Sequence, residues 1–382
     1  VRLAIRRGKV ITPLEAFEQA DLLIEDGRLL AVGPGAAAGG ADEVIDAGDY
    51  IVAPGFVDIH VHGSAGHDAM DGTRQAIEGM AKYFASRGVT SFCPTTLTGP
   101  ADQIMAAIRA VHQCQQHPAQ GAQPLGVHLE GPYIDAAKKG AQPDQYVRVA
   151  AAAEYQEFFS LGNIRLVSLA PEIEENRPLI TYARTRGAAV AVGHSSATYE
   201  QVAEAVNLGV NQSTHTFNQM EGIHHRRPGT VGAALMLDEI YAQCIADGVH
   251  LHPAIVNMLV RLKGPAKTVL ITDAIRGAGM PDGEYELGGQ PIVVKQGAVR
   301  LPDGTLAGSC LTMDQGVRNL AAFTGRPLPD CLQMATLTPA RAIGLSDRKG
   351  SLEPGKDADI VLLTPDLEVA ATLLLGKLIY RA

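Results

Sequence analysis

The chain has 382 residues, 46% hydrophobic and 19% charged, with a formal net charge of −9. This balance fits an ordinary globular protein and argues against nucleic-acid binding through bulk electrostatics. No apolar run reaches about 18 residues and the N-terminus carries no signal-peptide pattern, so neither a membrane span nor secretion is expected. The five cysteines are scattered, with no Cys-x-x-Cys, and read as reduced core thiols of a cytoplasmic protein.

Residues 1–53 are short β-type pieces punctuated by the turn signals Glu25-Asp-Gly27, Gly33-Pro-Gly35 and Ala47-Gly-Asp49, with a surface loop at 33–41. From 56 to 273, short apolar runs alternate with longer amphipathic segments. Strands are expected at 57–62, 91–95, 125–130, 165–170, 189–193, 212–215, 242–246 and 269–272. Helices are expected between them, at 73–86, 101–115, 151–159, 177–186, 199–208 and 252–262. Alternation of this kind implies a parallel sheet, and eight such units a closed (β/α)8 TIM-type barrel. The open doubly wound alternative lacks a Gly-x-Gly-x-x-Gly in its first unit. A β-rich insertion follows at 276–310, with turns at Pro281-Asp-Gly283 and Pro302-Asp-Gly304. Residues 347–382 return to β character, most plainly in Ala358-Asp-Ile-Val-Leu-Leu363. The expected organisation is therefore a small β-sandwich domain from residues 1–53 and 347–382, and a barrel over 54–346.

The expected strands end on chemically capable residues. The first ends in His60-Val-His62, and residues i and i+2 of a strand share a face, so both imidazoles can hold one ion. Others end in His128-Leu-Glu130, Gly193-His194, Thr214-His215 and Thr272-Asp273. In a barrel these ends converge on one face, where active sites sit. A single strand-end histidine is commonly structural; six residues converging from five strands is a site. Glu130, His194 and His215 make a three-ligand set with an open position, His60 and His62 can hold a second ion, and Glu130 can bridge. Imidazole and carboxylate without thiolate suit Zn²⁺, Fe²⁺, Co²⁺ or Mn²⁺. Asp273 is then placed as general acid/base, its bland alternative being a helix cap. His224-His-Arg226-Arg227 is the dense cationic cluster, suited to phosphate or else a solvated basic loop.

The segments Pro54-Gly-Phe-Val-Asp-Ile-His-Val-His-Gly63, His128-Leu-Glu-Gly-Pro-Tyr133, Lys138-Lys-Gly140, Gly193-His-Ser195, His215-Thr-Phe-Asn-Gln-Met220, Ala246-Asp-Gly-Val-His250 and Thr272-Asp-Ala274 span nearly the whole chain. With them the chain resembles the amidohydrolase superfamily and, within it, the N-acetylglucosamine-6-phosphate deacetylases. The resemblance implies metal-dependent removal of acetate from an amino-sugar phosphate, with one or two divalent ions per subunit, zinc foremost. It implies Glu130, His194 and His215 as metal ligands, His60 and His62 as the pair of two-metal members, and Asp273 as acid/base. It also implies sugar and phosphate contacts from Gln142, Asn218, Gln219, Arg226, His250 and Leu306, and a homodimer in which Arg226 reaches across the interface.

Two positions depart from the family pattern. Gln142 stands where the family has a histidine that touches the amide carbonyl; its amide can donate a hydrogen bond but cannot carry charge. Gln219 stands where the family has alanine. Both bear on sugar identity, and N-acetylgalactosamine 6-phosphate is the alternative substrate. The rival readings are another metal-dependent amidohydrolase indifferent to phosphate and a non-enzymatic barrel.

Overall fold

The structure is a computed structural model that describes residues 1–118 and 120–382. All eight strand segments expected between 56 and 273 occur, in that order: β1 Phe56–Val61, β2 Val89–Pro94, β3 Val127–Glu130, β4 Ile164–Leu169, β5 Ala189–Val192, β6 Gln212–Ser213, β7 Tyr241–Ile245 and β8 Thr268–Ile271. The longer ones are buried on both faces, as strands covered by crossover helices are, which is why β5 reads Ala-Val-Ala-Val without alternation. β3 to β8 pair in sequence order as a curled six-stranded parallel sheet, while β1 and β2 form a parallel sheet with Gln123–Pro124.

The expected third strand, 125–130, forms only from Val127, and a short strand just before its expected start joins the other sheet. Gln123–Pro124 pairs with β2 and Val127–Glu130 with β4. The break falls at Gly126, whose φ of +142° and close approach to Asn163 O, 2.8 Å from an added Cβ, exclude a side chain. A parallel bridge, Thr95 to His128, carries contact across the break. At the opposite edge the Asp273 N–H donates to His60 O at 2.9 Å. The buried Asp58 carboxylate lies beside that contact, accepting from Thr272 Oγ1 at 2.5 Å, Thr272 N at 3.4 Å and His60 N at 3.3 Å. Burial pushes its pKa up to about 6 against the pull of those hydrogen bonds.

The helices are amphipathic and cover the strands. Arg74–Ala85 buries Ile77, Met80, Ala81 and Phe84, spacings of one helical face, and is capped by Thr73 accepting from Ala76 N. Tyr199–Leu208 opens with a Thr198/Gln201 capping box. Four helices lie outside the expected set: Gly229–Met236, Met313–Thr324, Leu328–Ala335 and Leu337–Ala342. Gly229–Met236 is apolar nearly all round and buried along almost its whole length, so it carries no periodic signal.

Strands from both ends of the chain join in one eight-stranded sheet. Ile360–Leu363 pairs antiparallel with Ile51–Pro54, which pairs parallel with Arg2–Ile11. The expected insertion is a four-stranded antiparallel sheet, Gly283–Leu287, Gln290–Lys295, Ala298–Arg300 and Leu306–Ser309. Among the described residues no helix is long and apolar enough to cross a membrane. All five cysteines are free, and burial pushes the Cys93 and Cys244 thiols up to about 12, which leaves them inert.

Candidate metal centre and pocket

The residues expected at the strand ends come together. His60 is the penultimate residue of β1 and His62 follows the strand, Glu130 closes β3, and His194, His215 and Asp273 each lie two residues beyond β5, β6 and β8. All six are buried. His194, His215 and Asp273 have φ of 48°, 28° and 51°, a left-handed backbone that costs non-glycine residues about 1–3 kcal/mol each. That strain is held by strands fixed on either side. Gly63, next to His62, is required by space: a Cβ there would lie 2.3 Å from His67 O and 2.7 Å from Arg276 N.

Their ligand-capable atoms form two groups, His60, His62 and Asp273 in one and Glu130, His194 and His215 in the other, each with all such atoms within 4.8 Å. Glu130 reaches both. Its Oε1 lies 3.3, 3.4 and 3.1 Å from the Nε2 atoms of His60, His194 and His215, and its Oε2 lies 3.1 Å from His62 Nε2. Asp273 Oδ1 lies 3.4 Å from His60 Nε2 and 3.3 Å from His62 Nε2.

Divalent cations fit this donor set. His194 Nε2 and His215 Nε2 face each other at 3.1 Å, and only one of two such nitrogens can donate. His60 Nε2 and Glu130 Oε1 are buried with no hydrogen-bond partner, an arrangement that is costly unless a cation draws the lone pairs together. Imidazole and carboxylate donors without sulfur suit zinc and its first-row neighbours. Burial disfavours the Glu130 carboxylate, but the His60, His194 and His215 rings gathered around it outweigh burial and hold its pKa well below the usual range. The fold therefore presents a site for two metal ions.

A surrounding layer fixes the ligands. His194 Nδ1 donates to Lys138 O at 2.8 Å, and His60 Nδ1 faces Gln243 Oε1 at 3.0 Å. His128 is a support: its Nε2 meets Ser168 Oγ at 2.7 Å, and burial keeps its pKa well below the usual value. Gln142 donates Nε2 to Glu130 Oε2 at 3.0 Å and accepts from Thr98 N at 2.7 Å, so its oxygen is committed to the protein. Gln243, Thr98 and the Lys138 carbonyl were not legible as site groups, because an amide inside a strand and a loop backbone carry no motif.

A cleft opens over these ligands, lined by His62, Glu130, Gln142, His194, His215 and Asp273. Asn218, Gln219, His250 and Leu306 also line it, as expected, joined by Leu97 and Leu287. Gln219 packs against Gly140, where a Cβ would lie 2.8 Å from Gln219 Cγ. His250 Nδ1 meets Asp247 Oδ2 at 2.7 Å; burial opposes its charge, but the Asp247 contact outweighs burial and raises its pKa. Arg226 is not brought to the cleft within one chain. It sits exposed in a tight turn closed by His224 and Arg227, its Nη1 against His225 Nε2 at 2.6 Å.

The amidohydrolase family profile matches residues 51–379. The chain is 41% identical to the N-acetylglucosamine-6-phosphate deacetylase of Vibrio furnissii, over 89% of this chain and 86% of that protein. It is 37% identical to the N-acetylgalactosamine-6-phosphate deacetylase of Escherichia coli O157:H7, over 98% of both. Its fold matches the crystal structure of the N-acetylglucosamine-6-phosphate deacetylase of Thermotoga maritima with a TM-score of 0.90 and 34% identity, covering 99% of this chain and 100% of that one.

Proposed function

The chain belongs to the amidohydrolase family, and from that premise we propose that it hydrolyses the acetamide of N-acetylglucosamine 6-phosphate, giving glucosamine 6-phosphate and acetate. The observation that carries the reading is the pair of ligand groups sharing Glu130 at the floor of a cleft lined by polar side chains. Relatives of matching length on both sides act on N-acetylated hexosamine 6-phosphates.

Divalent ions held by these residues supply water of pKa near 7 and polarise an amide carbonyl. The chain's own groups do the rest. Burial opposes ionisation of Asp273, but the His60 and His62 rings beside it outweigh burial and lower its pKa. As a carboxylate at the floor of the cleft, Asp273 is placed to accept the attacking water's proton and return it to the departing amine nitrogen. Gln142 retains one N–H beyond its bond to Glu130, which can donate to the acetamide. His250, whose charged form Asp247 favours, attracts the phosphate from the pocket side, together with Asn218 and Gln219. Leu306, from the insertion sheet, packs against the sugar. Arg226 serves the cleft of a second subunit in a homodimer, which accounts for its exposed place away from its own cleft.

In this reading β1 to β8 make one closed (β/α)8 barrel over 54–346. Residues 1–53 and 347–382 make a separate small β-domain, and the free thiols suit the cytoplasm. N-acetylgalactosamine 6-phosphate is the second reading, favoured by Gln219 at the cleft and by the Escherichia coli relative. Acetate release over a panel of N-acetylated sugars, with and without 6-phosphate, tests both. Turnover of N-acetylglucosamine 6-phosphate well above its galacto epimer is the expected result, and indifference to phosphate would refute both readings.

A further inference from the structure

Gln243 lies at the middle of β7, fully buried, and takes no part in the cleft. Its Oε1 receives the backbone N–H of His215 at 3.2 Å and faces His60 Nδ1 at 3.0 Å. Its Nε2 donates to Gln212 Oε1 at 3.3 Å, and Gln212 Nε2 donates to the Ala342 carbonyl at 3.0 Å. The two ends of this chain of amides admit one orientation only. A backbone N–H can only donate and a backbone carbonyl can only accept, so Gln212 and Gln243 are both fixed with nitrogen toward Ala342 and oxygen toward the ligands. His60 Nδ1 therefore has to carry a hydrogen, and in the neutral ring the lone pair is left on Nε2. That nitrogen is the one directed between Glu130 Oε1 and Asp273 Oδ1.

We propose that Gln243, set by Gln212, is a positioning residue that selects the His60 tautomer and ring orientation needed for the second ion, and that it ties this ion's ligands to the backbone of His215 in the other group. The inference rests on the two-ion reading of the site. The two groups are served unequally. His194 of the Glu130 group is oriented by the Lys138 carbonyl, which no side-chain change at 243 removes. His60 has Gln243 alone. Loss of the Gln243 amide should thus loosen the ion of His60, His62 and Asp273 more than the ion of Glu130, His194 and His215, which Gln243 supports through the His215 backbone N–H.

The test is metal content by mass spectrometry and stepwise zinc affinity by calorimetry on wild type, Gln243→Met and Gln243→Glu. Methionine fills the space without an acceptor; glutamate restores the acceptor for Nδ1–H. The expected result is two ions in wild type, with the weaker step loosened about 10- to 100-fold in Gln243→Met, as outer-layer changes at metal sites produce. The tighter step should shift less than the weaker one, and Gln243→Glu, which keeps the acceptor but sets an oxygen against Gln212 Oε1, should recover part of the loss. A folded Gln243→Met that binds both ions with wild-type affinity overturns the proposal. A wild type that binds fewer than two ions sinks the two-ion reading instead. If Gln243→Met does not fold, long-range proton–nitrogen correlation spectra of histidine-labelled wild type decide: hydrogen on His60 Nδ1 supports the relay, and hydrogen on Nε2 alone refutes it.

Discussion

Replacing Glu130 with glutamine should weaken both ions at once. The substitution keeps size and removes charge, and the contacts leave the new amide no orientation that serves the ions. With nitrogen in place of Oε2 it meets the Gln142 Nε2 donor, which sits 3.0 Å away. With nitrogen in place of Oε1 it offers hydrogens to imidazole nitrogens between 3.1 and 3.4 Å away, tying up lone pairs that the ions need. Removing one partner from a buried, mutually compensated charged set costs about 3–5 kcal/mol. At about 1.4 kcal/mol per factor of ten, that is a loss of roughly 10²- to 4 × 10³-fold in ion affinity. His194→Ala, by contrast, should weaken chiefly the ion of its own group. Calorimetric titration of chelator-treated protein with zinc, with bound metal counted by mass spectrometry, reads both. A Glu130→Gln protein that holds two ions at wild-type affinity would refute the bridging role.

Asp273→Asn should keep the ion of Glu130, His194 and His215 and lower kcat by about 10²-fold or more, since asparagine cannot accept a proton; steady-state acetate release checks it, and kcat within about threefold of wild type would exclude the acid/base role. Arg226→Ala should raise KM for the phosphorylated sugar by the equivalent of about 1.5–3 kcal/mol and leave the unphosphorylated sugar nearly unaffected; mixing it with Asp273→Asn subunits should restore activity if the arginine crosses a dimer interface. Burial opposes charge on His250 and Asp247 overrides it, so its raised folded pKa keeps the charge, and the stability that goes with it, fully present below the unfolded value near 6.5 and loses both as pH rises through the folded value. Asp247→Asn removes that support, so KM for the phosphorylated sugar, measured from pH 6 to 8, should rise at lower pH than in wild type; identical profiles would show that His250 does not act as a cation there.

The ligand set was legible because strand geometry converts sequence spacing into direction. His60 and His62 share a face at i and i+2, and parallel strands put Glu130, His194, His215 and Asp273 at one end. The eight strand segments were legible for the same reason. The late start of the third strand was not, since Leu125-Gly-Val reads as continuous and only the approach of Asn163 to Gly126 shows why it parts. Helix Gly229–Met236 hid in an apolar run without period, and the helices between 313 and 342 were passed over in a stretch without strand alternation. The left-handed backbone at His194, His215 and Asp273 leaves no mark on residue choice, because the strain is borne by packing around it. Gln142 shows the limit most clearly. Sequence placed it at the substrate, whereas its contacts to Glu130 and Thr98 also make it part of the ligand frame, a role that depends on partners 12 and 44 residues away in the chain.

If these residues hold the ions that hydrolysis of an amino-sugar phosphate amide needs, acetate release from N-acetylglucosamine 6-phosphate should follow zinc as it is added back to chelator-stripped protein. Stripped protein should release none, release should rise with added ion, and it should level off by two equivalents per chain. Equal release before and after stripping, with metal absent by mass spectrometry, would contradict that metal requirement.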